Sequence, residues 1–219
     1  MFGETRPYAI VDTESSGIPN ELKNYQSKYW EGFVPRTLSV GAVGMSPGGD
    51  IGKSFYRVVR VPESHLKDKR TRRALEINGM SKADILNGDP VEVVAEEFRH
   101  YLREEVEART IWAHNMEFDG WFLSRKPWSL PGRAFRCTMV EGLRLLQEEG
   151  AVSKFDTRLS QATLIAYCHA KYGVDAWEGA KPHHALSDAM ALARCIAASQ
   201  SKALAEVLEL RNKKPLAGR

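Results

Sequence analysis

The chain has 219 residues, and its 31 lysines and arginines against 28 aspartates and glutamates give a formal net charge of +3. Hydrophobic residues make up 43% of the chain and charged residues 27%, which excludes disordered, collagen-like and disulfide-scaffold proteins. The length predicts a single domain over residues 1–219. A charge this small does not indicate a class of partner.

Features that are missing from the sequence predict a cytoplasmic protein. The first residues lack the basic and apolar regions of a secretory signal, and no apolar run is long enough to span a bilayer. The three cysteines, Cys137, Cys168 and Cys195, form no Cys-x-x-Cys pair. Reduced thiols are therefore expected rather than a structural zinc site.

Strands dominate the first part of the chain. The apolar run 8–11, which ends at Asp12, predicts a central strand. Residues 38–45 and 51–61 predict a hairpin around a turn that contains Pro47 and two glycines. The segment 21–36 between the first two strands is expected to be irregular.

Helices and two short strands follow in alternation. Helices are expected over residues 64–75, 90–107, 117–125, 138–149, 158–171 and 185–211, and strands over residues 110–113 and 134–137. Ser81 is a further helix-start signal. The order predicts an α/β fold, with a mixed sheet of three antiparallel strands and two parallel strands flanked by helices.

Two carboxylates follow the first apolar run. Side chains two positions apart on a strand point to the same face, so Asp12 and Glu14 are expected to point together at the strand's carboxyl end. Open α/β sheets bind their ligands at that end. The alternative is an acidic strand end that is merely solvated.

Two further acids lie near expected helix starts. Asp119 follows the fourth strand, which we expect beside the first, and Asp188 opens the last helix. Each has an alternative role as an acid that stabilises a helix N-terminus. His183 and His184 precede Asp188. They could also be a pair of surface histidines or ligands of a zinc or iron ion.

Together the three segments resemble the motifs of the DEDDh-type 3′→5′ exonucleases, in the ribonuclease-H-like superfamily. Residues 11–14 match Asp-x-Glu, residues 114–119 match His-Asn-x-x-Phe-Asp, and residues 183–188 match His-x-Ala-x-x-Asp. His184 occupies a variable position, so His183 is the better match to the catalytic histidine. The resemblance covers about residues 7–200, and exonuclease X, ribonuclease T and replicase proofreading subunits are the members it resembles most.

The resemblance implies a five-stranded ribonuclease-H-like sheet and a metal-dependent exonuclease that releases nucleoside 5′-monophosphates from nucleic-acid 3′ ends. The implied catalytic residues are Asp12, Glu14, Asp119, His183 and Asp188. The four acids would hold two Mg²⁺ ions, with Mn²⁺ as the expected substitute, because Mg²⁺ prefers oxygen ligands. Histidine suits the role of general base near neutral pH.

Substrate contacts are implied for residues around these motifs: Thr13, Ser16, Gly17, Ile18, Asn115 and Phe118. The basic run 67–73 contacts phosphates or is a solvated helix face, and the latter is favoured. The aromatic residues of segment 21–36 have two possible roles: they could stack on bases, or they could pack this segment onto the domain. The second role is favoured. These aromatic residues are Tyr25, Tyr29, Trp30 and Phe33.

The expected partner is single-stranded or 3′-ended nucleic acid, with DNA slightly preferred over RNA and no membrane partner. The resemblance leaves open a homodimer and a polymerase or repair partner. Two alternative functions are an RNA-trimming, oligoribonuclease-like enzyme and a nucleic-acid-end binding or polymerase-associated proofreading subunit.

Overall fold

A mixed sheet with the strand order β3-β2-β1-β4-β5 organises the computed structural model, which describes residues 4–22, 28–179 and 182–213, without side chains from residue 203 onward. The strands are β1 (Tyr8–Ser15), β2 (Thr37–Met45), β3 (Ile51–Val58), β4 (Thr110–Ala113) and β5 (Ala134–Cys137). β1, β2 and β3 pair antiparallel, whereas β1, β4 and β5 run parallel. The predicted mixed α/β sheet is thus confirmed.

Helices cover both faces of this sheet. They are α1 (Glu63–Leu66), α2 (Lys69–Ile77), α3 (Lys82–Leu86), α4 (Val91–His100), α5 (Met116–Leu123), α6 (Thr138–Glu148), α7 (Gln161–Tyr172) and α8 (Ala185–Lys213). None of the helices in the described part of the chain combines the length and apolar character needed to cross a bilayer.

Alternation along β1 supplies the two halves of the core. Tyr8 and Ile10 are fully buried in one cluster with residues of α7 and α8. Ala9 and Val11 are fully buried in a second cluster that contains residues of α4 and α5. Because both faces are covered, β1 is a continuous apolar run rather than an alternating one.

Several element boundaries differ from those expected. β1 continues to Ser15, so both of its acids lie within the strand, and β3 ends at Val58 instead of residue 61. The helix expected over residues 64–75 is two helices, because the Asp68 side chain accepts the N–H of Arg70 and caps α2. The helix expected over residues 90–107 ends at His100 and continues as a π-helical turn, Tyr101–Glu105.

Candidate active site

Three carboxylates converge at the carboxyl end of β1. Asp12 and Glu14 lie on the strand face that packs against α8, and Asp188 comes from the first turn of α8. One carboxylate oxygen from each lies within 4.8 Å of the others. Three hard oxygen donors at this spacing fit a divalent cation such as Mg²⁺.

Asp119 reaches the same end of the sheet from the opposite face. It lies in the first turn of α5 and is 4% exposed. Its Oδ1 accepts hydrogen bonds from the N–H and the hydroxyl of Thr13, at 2.9 and 2.7 Å. Thr13 lies between Asp12 and Glu14 on β1. The hydrogen bonds from Thr13 therefore hold α5 against β1 and place Asp119 beside the other three carboxylates.

Burial and mutual repulsion raise the pKa values of these acids. Burial, then the charges of Asp119, Glu14 and Asp188, raises the pKa of Asp12 well above its ordinary value. Burial and the charges of Asp188 and Asp119 raise the pKa of Glu14 to about 8. Burial raises the pKa of Asp119 to about 7, although the hydrogen bonds from Thr13 oppose the rise. The cluster is therefore unfavourable when fully ionised without a cation.

The metal-free protein is expected to lose stability as the pH rises from about 4.5, the ordinary pKa of Glu14, to about 8. In this window the unfolded chain has lost the proton of Glu14 while the folded protein retains it, so the free energy of unfolding falls with pH. Thermal denaturation in chelator across this range measures the slope. Glu14→Gln should reduce the slope, and a melting temperature that rises across the window in the parent would contradict the expectation.

The two adjacent histidines have different environments. The His184 ring stacks on Tyr56, with centroids 4.4 Å apart, and its Nδ1 accepts the N–H of Ser187 at 3.4 Å. His183 is exposed and has a left-handed backbone, with φ of 60°. Non-glycine residues with positive φ are uncommon and occur at functional sites. His183 is therefore the histidine that is open to solvent beside Asp188.

Two residues that the sequence did not single out position Asp188. Gln161, the first residue of α7, donates its Nε2–H to Asp188 Oδ1 at 3.1 Å and to its carbonyl at 3.2 Å. Gly41 on β2 pairs with Asp12, and a Cβ there would lie 2.2 Å from the N atom of Leu186. The absence of a side chain at Gly41 thus lets the start of α8 rest directly on the sheet.

The residues expected to contact substrate divide into two sets. The hydroxyl of Thr13 is used by Asp119, and the buried Ser16 hydroxyl accepts the N–H of Arg36 at 2.8 Å. Trp30 covers Gly17, where a Cβ would lie 2.4 Å from its ring. The remaining three are partly exposed at the same end of the sheet: Ile18, Asn115 and Phe118.

Within segment 28–33, Trp30 and Phe33 pack against the protein, whereas Tyr29 is exposed. The Phe33 ring stacks on His65 at 5.3 Å, and the Arg70 guanidinium lies 4.4 Å from the centroid of the Phe33 ring. Arg70 also binds the Asp68 carboxylate at 2.7 Å, so this member of the basic run 67–73 is already paired. Tyr25 and residues 214–219, the end of the C-terminal tail that the sequence predicts to be basic over residues 200–219, lie outside the described residues.

The fold is one shared with solved exonucleases and ribonucleases. Cell-death related nuclease 4 (CRN-4) is similar with a TM-score of 0.64 and 13% identity, over 90% of this chain and 64% of that one. The zinc-bound complex of E. coli exonuclease I with single-stranded DNA has a TM-score of 0.58 and 12% identity, over 94% of this chain and 43% of that one. The RNase domain of yeast Pop2 has a TM-score of 0.56 and 12% identity, over 90% of this chain and 77% of that one.

These similarities confirm the predicted resemblance at the level of the fold. The chain spans 64% of CRN-4 and 43% of E. coli exonuclease I, so it corresponds to part of each of those proteins. No protein-family model and no curated protein matches the sequence.

Proposed function

We propose that the protein is a metal-dependent 3′→5′ exonuclease that hydrolyses phosphodiester bonds and releases nucleoside 5′-monophosphates. The observation that carries the proposal is the convergence of Asp12, Glu14 and Asp188 within 4.8 Å at the carboxyl end of the central strand. Asp119 lies beside them, and His183 is exposed at the start of α8. The shared fold supports the same reaction class.

Each acid has a proposed role in this site. Asp12, Glu14 and Asp188 would hold divalent cations, with Asp119 as a further ligand on the other side of β1. Two Mg²⁺ ions would stabilise charge on the attacking and leaving oxygens of the phosphodiester. His183 would accept the proton of the attacking water at a ring nitrogen, and Gln161 would orient Asp188 by its hydrogen bond to Oδ1.

Single-stranded DNA is the proposed substrate, with RNA as the second candidate. E. coli exonuclease I has been solved with single-stranded DNA and zinc, which supports both a DNA strand and a divalent cation here. The Pop2 domain is named as an RNase, which supports RNA. A homodimer and a polymerase or repair partner stay predictions.

One assay tests the class, the polarity and the sugar preference together. Matched DNA and RNA strands and duplex DNA, labelled at the 5′ end, are incubated with Mg²⁺, with Mn²⁺ or with chelator. A ladder that shortens from the 3′ end only with metal supports the proposal. Tight binding of 3′ ends without cleavage would instead favour the end-binding subunit.

His183→Ala is expected to lower turnover by roughly 10²- to 10⁴-fold, the usual contribution of a general base. His184→Ala is the matched control, because that ring packs on Tyr56 and is expected to change turnover much less. Mn²⁺ should still raise the melting temperature of His183→Ala by binding the folded state, since the carboxylates are intact. A larger loss in His184→Ala than in His183→Ala would reverse the assignment.

A further inference from the structure

A cavity of about 260 Å³ lies at the same end of the sheet as the carboxylates, on the side of α4 and α5. Its walls are the segment 34–37, the chain after β3 at residues 59–61, the α5 residues Trp121 and Phe122, and the loop 125–128. None of the roles proposed above uses this cavity.

The charge of the cavity wall has one sign. Four cations line it, Arg36, Arg60, Arg125 and Lys126, and no carboxylate does. All four are exposed, and none is in an ion pair with another described residue. Arg60 and Arg125 donate to the carbonyl oxygens of Gly88 and Trp121, which leaves their charge uncompensated. A concave surface with these charges attracts phosphate.

The cavity also presents an aromatic surface. The Trp121 ring is partly exposed, and the guanidinium of Arg125 lies 4.0 Å from its centroid. The buried indole N–H of Trp121 has no acceptor within the described protein. Aromatic rings beside arginines are the surfaces on which unpaired bases stack.

Both walls of the cavity are continuous with the carboxylate site. Trp121 lies two residues after Asp119 on α5. Arg36 forms two hydrogen bonds of 2.8 Å with Ser16, one through its carbonyl and one through its N–H, and Ser16 lies two residues after Glu14. The segments that carry Asp119 and Glu14 thus form or contact the walls of the cavity.

We propose that this cavity is a subsite for an unpaired nucleotide upstream of the 3′ end. The base stacks on the face of Trp121 opposite the one that Arg125 covers, and Arg36, Arg125 and their neighbours bind its phosphates. The assignment rests on the proposed function. It adds that the enzyme binds a single strand not only at the 3′-terminal nucleotide but also at a nucleotide further upstream. Duplex ends are then bound through an unpaired 3′ segment.

The test measures binding of dT2 and dT6 to the metal-free protein by fluorescence anisotropy in chelator. The parent should bind dT6 more tightly than dT2. Arg36→Gln/Arg125→Gln should weaken dT6 binding about tenfold and lower the slope of log K against log salt by roughly 1.4, or about 0.7 per lost phosphate contact. Lys53→Gln/Arg144→Gln removes the same charge from exposed, ion-paired positions and should leave dT6 binding unchanged.

A spectroscopic measurement tests whether the ligand lies at Trp121. The NMR spectrum of Trp121→Phe lacks one indole N–H signal, which identifies that of Trp121, and this signal should shift when dT6 but not acidic peptide is added to the parent. Equal dT6 affinity in the parent and the double arginine variant overturns the subsite. If the parent binds dT6 through the cavity but never hydrolyses it, the exonuclease proposal fails while the subsite stands. Binding of acidic peptide instead of dT6 refutes the subsite.

Discussion

Asp12→Asn is expected to raise the melting temperature of the metal-free protein and to abolish turnover. Two unit charges about 4 Å apart repel by roughly 4 kcal/mol at an effective dielectric constant of 20. Asp12 is near Asp119, Glu14 and Asp188, whose charges together with burial raise its pKa. Asparagine has nearly the same shape and no charge. A gain of about 2 kcal/mol would correspond to ~4–8 °C in a chain of this length.

The same substitution should remove the response to metal. Mg²⁺ or Mn²⁺ should raise the melting temperature of the parent by binding the folded state, and should raise that of Asp12→Asn much less. Asp50→Asn is the control, because this acid lies in the turn between β2 and β3, away from the cluster. A lower metal-free melting temperature in Asp12→Asn, with no metal response in the parent, would refute a cation site here.

The sequence predicted those strands and helix starts that are determined by residues close together in the chain. The apolar run before Asp12 identified the central strand, and residues 134–137 form β5 as expected. The helix start at Ser81 is a capping box, in which the Ser81 and Asp84 side chains each accept the other's N–H. The order of these elements was enough to predict the mixed sheet, because connections between neighbouring strands follow few topologies.

The site could be predicted only in part, because several of its contacts join residues far apart in the chain. Gln161 precedes Asp188 by 27 residues, and only the packing of α7 against α8 brings its amide to that carboxylate. The cavity at Trp121 is built from segments far apart in the chain, from residues 34–37 to residues 125–128. The pairing of Gly41 with Asp12 depends on the register of β1 and β2, which the glycine itself does not encode.

The two histidines show how the structure sharpens a motif. The spacing to Asp188 favoured His183 by resemblance alone. In the structure the His184 ring stacks on Tyr56 and accepts the N–H of Ser187, so it packs within the protein. His183 is exposed and has a left-handed backbone, and its role as the catalytic histidine stays a prediction.

Gly41→Ala is expected to lower turnover by about 10²-fold, the order of loss that a displacement near 1 Å produces in a catalytic site. The added Cβ would lie 2.2 Å from the N atom of Leu186 and 2.3 Å from the carbonyl carbon of Ala185. Both are backbone atoms, so no side-chain rotation relieves the clash and the start of α8 must move. Asp188, two residues further on, then moves away from Asp12 and Glu14.

The measurement is Mn²⁺ affinity by calorimetry together with turnover, at a temperature where circular dichroism shows the variant folded. Gly52→Ala is the matched control on β3, because its Cβ would lie 3.3 Å from the carbonyl oxygen of Gly44 and would have no described atom of α8 within 4 Å. If Gly41→Ala binds Mn²⁺ like the parent and retains turnover, α8 does not depend on this contact. A weaker Mn²⁺ affinity in a folded variant would instead show that a missing side chain on β2 sets the distance between the two halves of the carboxylate site.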